Sequence, residues 1–204
     1  MIVECVGLPG AGKTTICGLV TAPHGKKGAV PLSAMRADTA LLRAAWRIFF
    51  LSISARPLSL NRLKRGFNLI VFLRHYQFRV RNILLDQGLV QKLWSLLQDA
   101  SFSMTRLDRV IASLRLFAPD HLVWIVTPVN LSAQRIAERR HGNSRLDGLP
   151  PDEAEARLAT TVELLEMLVA RFSAASGVNV LKLNGGAPPE ANAARIDGLL
   201  GRMV

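Results

Sequence analysis

Between Gly7 and Thr14 the chain reads Gly-Leu-Pro-Gly-Ala-Gly-Lys-Thr, a G-x-x-x-x-G-K-[ST] pattern that leaves few folds open. Before it, Met1 to Val6 is mostly apolar and of strand length, and after it Thr14 to Val20 can start a helix. Strand, glycine loop and helix in that order are the context the pattern requires. Glycines let backbone N–H groups crowd around a polyphosphate, and the helix N-terminus adds positive potential. Lys13 would then reach the β- and γ-phosphates, and the Thr14 hydroxyl would bind Mg²⁺. The expected nucleotide-contacting set is Gly7, Pro9, Gly10, Ala11, Gly12, Lys13, Thr14 and Thr15. An ordinary glycine-rich turn with a solvated lysine has no need of both flanks.

Further along, short apolar runs alternate with helical periodicity. Asn82 to Asp86, His121 to Val126 and Val178 to Leu183 read as buried strands, with a weaker signal at Ala29 to Leu32. Helical stripes fall at Val90, Leu93, Trp94 and Leu97, at Leu107, Ile111 and Leu114, and from Leu158 to Phe172. Asn130 is a candidate N-cap, Pro151-Asp152-Glu153 opens the long helix, and Gly177 closes it. Residues 36 to 81 lack strand alternation and read as a helical insertion, in which Pro57 and Gly66 bracket a basic connector before a helix from Phe67 to Phe78. Strands of this kind alternating with helices specify an α/β fold with a buried, largely parallel sheet, in one domain spanning residues 1–204. Ligand should sit beyond the strand C-termini.

The chain has 26 Lys and Arg against 15 Asp and Glu, a net charge of +11 that calls for an anionic partner. Much of the excess is Arg56, Arg62, Lys64, Arg65, Arg74, Arg79 and Arg81, a run with no acidic residue inside it. Nucleic acid would satisfy the charge, but no recognised RNA- or DNA-binding module supports that reading. The apolar stretch from Ala44 to Ser54 is interrupted by Arg47 and too short to span a bilayer. Trp46, Phe49 and Phe50 beside the basic run are compatible with peripheral membrane contact. Cys5 and Cys17 read as inert thiols in a reducing compartment, and with a core strand opening at residue 2 we expect a cytoplasmic protein without a signal peptide.

Asp86 ends a hydrophobic strand beside the Mg²⁺ that Thr14 would hold, so it is the expected metal-linked or catalytic carboxylate, with a helix-capping role as the alternative. Asp38 and Asp120 have weaker contexts. Arg135 and Arg139 lie four apart on one helical face, with Arg140 next to them, and like charges at that spacing are unfavourable unless an anion gathers them. A segment of this kind could close over a nucleotide and supply cations to the transferring phosphoryl group.

On these residues the chain resembles the P-loop nucleoside and nucleotide kinases, in outline the thymidylate kinase-like proteins. The resemblance covers the Gly7–Thr14 loop, the Asp86 strand, the Arg135–Arg140 helix and the Gly185–Pro189 loop. It implies a three-layer P-loop NTPase fold, ATP and Mg²⁺ as cofactors, and phosphoryl transfer to a small-molecule acceptor, a nucleoside monophosphate by default. It also implies a substrate-phosphate arginine, for which Arg74 is the first choice, with Arg36 and Arg79 after it. The catalytic set it implies is Lys13, Asp86, Arg135 and Arg139, with Thr14 and Asp86 at the metal. A homodimer is compatible with it. Where the family pairs the strand-end acid with an arginine or glutamate, this chain has Gln87, which carries neither charge nor basicity. That departure is the argument for the alternative, a nucleotide-binding regulator or degenerate kinase with little turnover. No Asn-Lys-x-Asp stretch occurs, which sets aside a GTP switch.

Overall fold

The computed structural model describes residues 1–22, 38–76, 83–138, 146 and 149–201. Four strands form one parallel sheet in the order β2-β1-β3-β4, with β1 at Ile2–Gly7, β2 at Ile83–Leu85, β3 at His121–Val126 and β4 at Asn179–Asn184. In register, Ile2 faces Ile83, Val3 faces His121, and His121 faces Asn179. Every residue of β1 is buried, as a strand with neighbours on both edges and helices on both faces must be.

Side-chain alternation along β1 divides the core in two. Val3 and Cys5 join Val123, Ile125 and Leu183 against α1 (Lys13–Leu19) and α8 (Pro189–Gly201), through Ile16, Ile196 and Leu200. Ile2 and Val6 face the larger core, filled by α2 (Thr39–Ser54), α3 (Leu60–Tyr76), α4 (Leu89–Leu97), α5 (Met104–Leu114) and α7 (Pro151–Ser176). The remaining helix, α6 (Val129–Ala137), follows β3. The alternating pattern thus produced the three-layer arrangement it implies. The Asp197 carboxylate ties α8 to the end of α1 by accepting from the backbone N–H groups of Thr21 and Ala22 and from the Thr21 hydroxyl.

Several local expectations change. Gly66 does not interrupt the chain; it lies inside α3, which starts at Leu60. A Cβ there would sit 2.3 Å from Ser52 Oγ, so the glycine marks where α3 crosses α2 at close range. Asn130 is inside α6, whose cap position is Pro128. Asp38 caps α2 by accepting from Ala40 N–H, and Asp120 accepts from Ile2 N–H at 2.6 Å, at the N-terminal end of the two inner strands, away from the glycine loop. The strand expected at 29–32 lies outside the described residues. Cys5 is buried and Cys17 half-buried; both are free thiols, and the Cys17 Sγ–H donates to Cys5 Sγ at 3.3 Å. Hydrogen bonding to Cys17, and then burial, push the Cys5 thiol well above its ordinary range.

Candidate active site

The loop between β1 and α1 has the conformation its glycines allow. Gly10 and Gly12 take φ of 83° and 84°, the left-handed region that favours glycine. At Gly10 a Cβ would also meet Ser132 O at 2.4 Å, so α6 packs directly on the loop backbone. Ala11 N–H donates to Leu8 O at 3.1 Å and closes the turn. The Lys13 ammonium folds over the loop and donates to Gly7 O and Leu8 O, at 2.7 and 2.8 Å. At the start of α1 the Thr14 hydroxyl points to Asp86, with 3.4 Å between Oγ1 and Oδ2.

Asp86 follows the last residue of β2, as the sequence indicates, and the cap position of α4 is Gly88 rather than the aspartate. Thr14 and Asp86 therefore present two hard oxygen donors side by side. Mg²⁺ takes such oxygens, commonly one or two from protein with phosphate and water completing the shell, so this pair fits the ion. No cluster of three or more His, Cys, Asp or Glu suited to a metal occurs among the described residues.

Beneath the loop lies an interaction the sequence did not disclose. Glu4, fully buried in β1, accepts from Leu89 N–H at 2.8 Å and from Gln91 N–H at 2.9 Å, which fastens the first turn of α4 to the sheet. Gln91 in turn accepts from Gly7 N–H through Oε1 at 3.1 Å, a link from α4 to the loop's first residue. Gly88 makes room, because a Cβ there would lie 2.4 Å from the Glu4 carboxyl carbon. Burial raises the Glu4 pKa from 4.5 to about 7, against the lowering effect of the Gln91, Leu89 and Val90 N–H groups and the charge of Lys92.

The glycine loop opens onto a cavity of about 810 Å³. Residues Pro9 to Thr15 form one end. The walls carry Arg65 and Asn68 from α3, Gln91, Lys92 and Ser95 from α4, and Arg157 and Thr161 from α7, with Gln87, Gln98 and Asp99. The Arg65 guanidinium is held by Ser95 O at 2.9 Å, and Trp94 is anchored to Thr161 O at 3.0 Å. Arg157 pairs with Glu153 one turn before it on α7, at 2.8 Å. Gln91, Ser95 and the capping Gln98 recur at helical spacing along α4, next to Lys92, and this signal was available in the sequence. Arg65 was hidden in the basic run, since nothing in the sequence separates it from Lys64 or Arg74.

The expected site residues fall into three groups. Pro9 to Thr15 line the cavity, with Gly7 at the loop's start and Asp86 beside Thr14. Arg74 is exposed and not among the cavity-lining residues, and Arg135 donates to Gly185 O at 2.9 Å, holding α6 to the loop after β4. Arg36, Arg79, Arg139 and Arg140 lie outside the described residues.

The parallel sheet with a glycine loop between its central strand and a helix defines the P-loop class of α/β folds. Within that class the chain shares its fold with solved structures of deoxyadenosine kinase from M. mycoides. The form with the products dCMP and dCDP bound superposes with a TM-score of 0.58 at 12% identity, covering 100% of both chains. The dCTP-bound form gives 0.56 at 13% identity over 99% of this chain and 100% of the other. The dATP-bound form gives 0.55 at 12%, over 98% and 100%. The sequence matches no protein-family model and no curated protein.

Proposed function

We propose that this protein is an ATP- and Mg²⁺-dependent kinase that phosphorylates a small molecule of the nucleoside or nucleoside monophosphate class. The observation that carries the reading is a continuous cavity with a phosphate-type glycine loop at one end and Arg65, Lys92 and Arg157 on its walls. Such a cavity accommodates a triphosphate on the loop and a second, polar or anionic molecule beside it. The shared fold with deoxyadenosine kinase supports a nucleoside-type acceptor, and the resemblance read from the sequence supports a monophosphate.

In this mechanism the N–H groups of Gly10 to Thr14 hold the phosphates of ATP, and the Lys13 ammonium exchanges its loop carbonyls for the β- and γ-oxygens. Thr14 and Asp86 would hold Mg²⁺, which would supply positive charge to the phosphates. Asp86 orients the acceptor hydroxyl or takes up its proton. Arg135 and Arg139 belong to a segment that brings cations to the transferring phosphoryl group. Residues 36–81 serve as the substrate-side insertion of a single domain, with Arg65 and Asn68 as its contributions to the cavity.

A second reading, a nucleotide-binding regulator with little turnover, is favoured by Gln87 lining the cavity beside Asp86. One experiment separates the two. ADP release from Mg·ATP is followed across nucleosides, nucleoside monophosphates and other hydroxyl-bearing metabolites, with Lys13→Ala as control. The kinase reading predicts acceptor-dependent release that Lys13→Ala abolishes. ATP binding without turnover on any acceptor would overturn it in favour of the regulator.

A further inference from the structure

Helix α2 is apolar on two sides. Leu41, Ala44, Ile48 and Leu51 are buried in the core. Leu42, Trp46, Phe49, Phe50 and Ile53 recur at the same spacing on the outer face, and Trp46 is 64% exposed. Three rings form one exposed cluster: the Trp46 and Phe50 centroids are 4.7 Å apart, and those of Phe49 and Phe50 5.9 Å. Beyond the end of α2, Leu58 and Leu60 are also exposed, at 60% and 85%. An amphipathic helix that only packs on its own core does not carry this second stripe.

Charge identifies what the stripe faces. From residue 39 to residue 85 the sequence contains no Asp or Glu, while Arg43, Arg56, Lys64 and Arg74 are exposed on α2, α3 and the connector between them. A second copy of the chain would bring the same uncompensated cations, on a molecule of net charge +11, against themselves. Leu42, Ile53, Leu58 and Leu60 are aliphatic and offer no stacking platform to bases. Aromatic and aliphatic side chains flanked by unpaired-in-sequence arginine and lysine match the boundary of an anionic bilayer, where rings enter the headgroup level and cations meet lipid phosphates. No described helix is long and apolar enough to cross a membrane, so the contact would be peripheral.

We infer that the outer face of α2, continued by the connector to Leu60, docks the protein on an anionic lipid surface. α3 continues from this region and carries Arg65 and Asn68 on the cavity wall, so docking holds the candidate active site near the lipid–water boundary.

The test is flotation of the full chain with vesicles of phosphatidylcholine alone, or mixed with phosphatidylglycerol, at low and high salt. Binding should require phosphatidylglycerol and weaken as salt rises. Trp46→Gln combined with Phe49→Gln, both on exposed positions, should lower the partition coefficient by about tenfold or more while the circular dichroism spectrum stays that of the wild type. Arg43→Glu with Lys64→Glu should weaken binding without touching an aromatic side chain. Absence of binding to the anionic vesicles, or binding indifferent to both double variants, overturns the inference. So does a dimer in analytical ultracentrifugation that the aromatic variant dissociates, because the stripe would then be covered by a second copy.

Discussion

Glu4 gives the sharpest quantitative expectation. In the unfolded chain its carboxyl has an ordinary value near 4.5, whereas burial in the folded protein raises it to about 7. The folded state therefore holds this proton more tightly than the unfolded state. Below the unfolded value both states are protonated and the stability linked to Glu4 is fully present. As pH rises toward 7 the unfolded chain ionises first, and stability falls by about 1.4 kcal/mol per pH unit until the folded carboxyl ionises as well. The interval from 4.5 to about 7 then corresponds to a loss of roughly 3 kcal/mol. Urea denaturation of the wild type and Glu4→Gln at a series of pH values isolates this residue, because the other carboxyl groups contribute equally to both proteins. Glutamine is neutral throughout, although its amide cannot accept from both Leu89 and Gln91 N–H groups, so the variant starts at a constant disadvantage. The stability difference between the two should shift in favour of Glu4→Gln by about 3 kcal/mol on going from pH 4.5 to pH 7.5. A difference that stays constant with pH would refute the reasoning and mean that the Glu4 carboxyl titrates alike in the folded and unfolded chain.

Three other substitutions test separate parts of the structure. Gly10→Ala forces a side chain onto a φ of 83° and within 2.4 Å of Ser132 O, so calorimetry should find ATP affinity lower by at least an order of magnitude. Arg135→Ala should reduce turnover by about a hundredfold with little change in the Kd for ATP; a rise in KM for ATP at unchanged kcat would assign the arginine to holding the loop at Gly185 instead. Leu93→Ala removes a fully buried side chain from the larger core and should cost about 3 kcal/mol, read as a lower urea midpoint.

The site was legible in the sequence where local chemistry dictates it. Gly10, Gly12, Lys13 and Thr14 have one workable geometry, and the apolar run ending at Asp86 places the acid at the strand edge next to them. The Pro151 and Gly177 ends of α7 were equally clear, since proline in the first turn and a left-handed glycine after the last are local signals. What the sequence withheld depends on packing between distant segments. Glu4 looks like an interruption in an apolar strand until α4 supplies its N–H partners, more than 80 residues later. Gly66 looks like a helix breaker until Ser52 is seen against it. Arg65 becomes distinct from the other arginines around it only when α3 is turned toward the cavity.

The strand order β2-β1-β3-β4 has a consequence for how this protein comes into being. A ribosome makes β1 before the other three strands, yet β1 sits between two of them. Its first partner, Ile83, emerges after the helices α2 and α3, and its second, His121, after α4 and α5. Until then the six buried residues of β1 have no sheet to join, and the glycine loop behind them has neither Gln91 nor Ser132 to hold its shape. The glycine loop is made well before Gln91 and Ser132, the residues that hold it. A fragment that stopped before Ser132 would carry the glycine motif without the packing that holds its conformation.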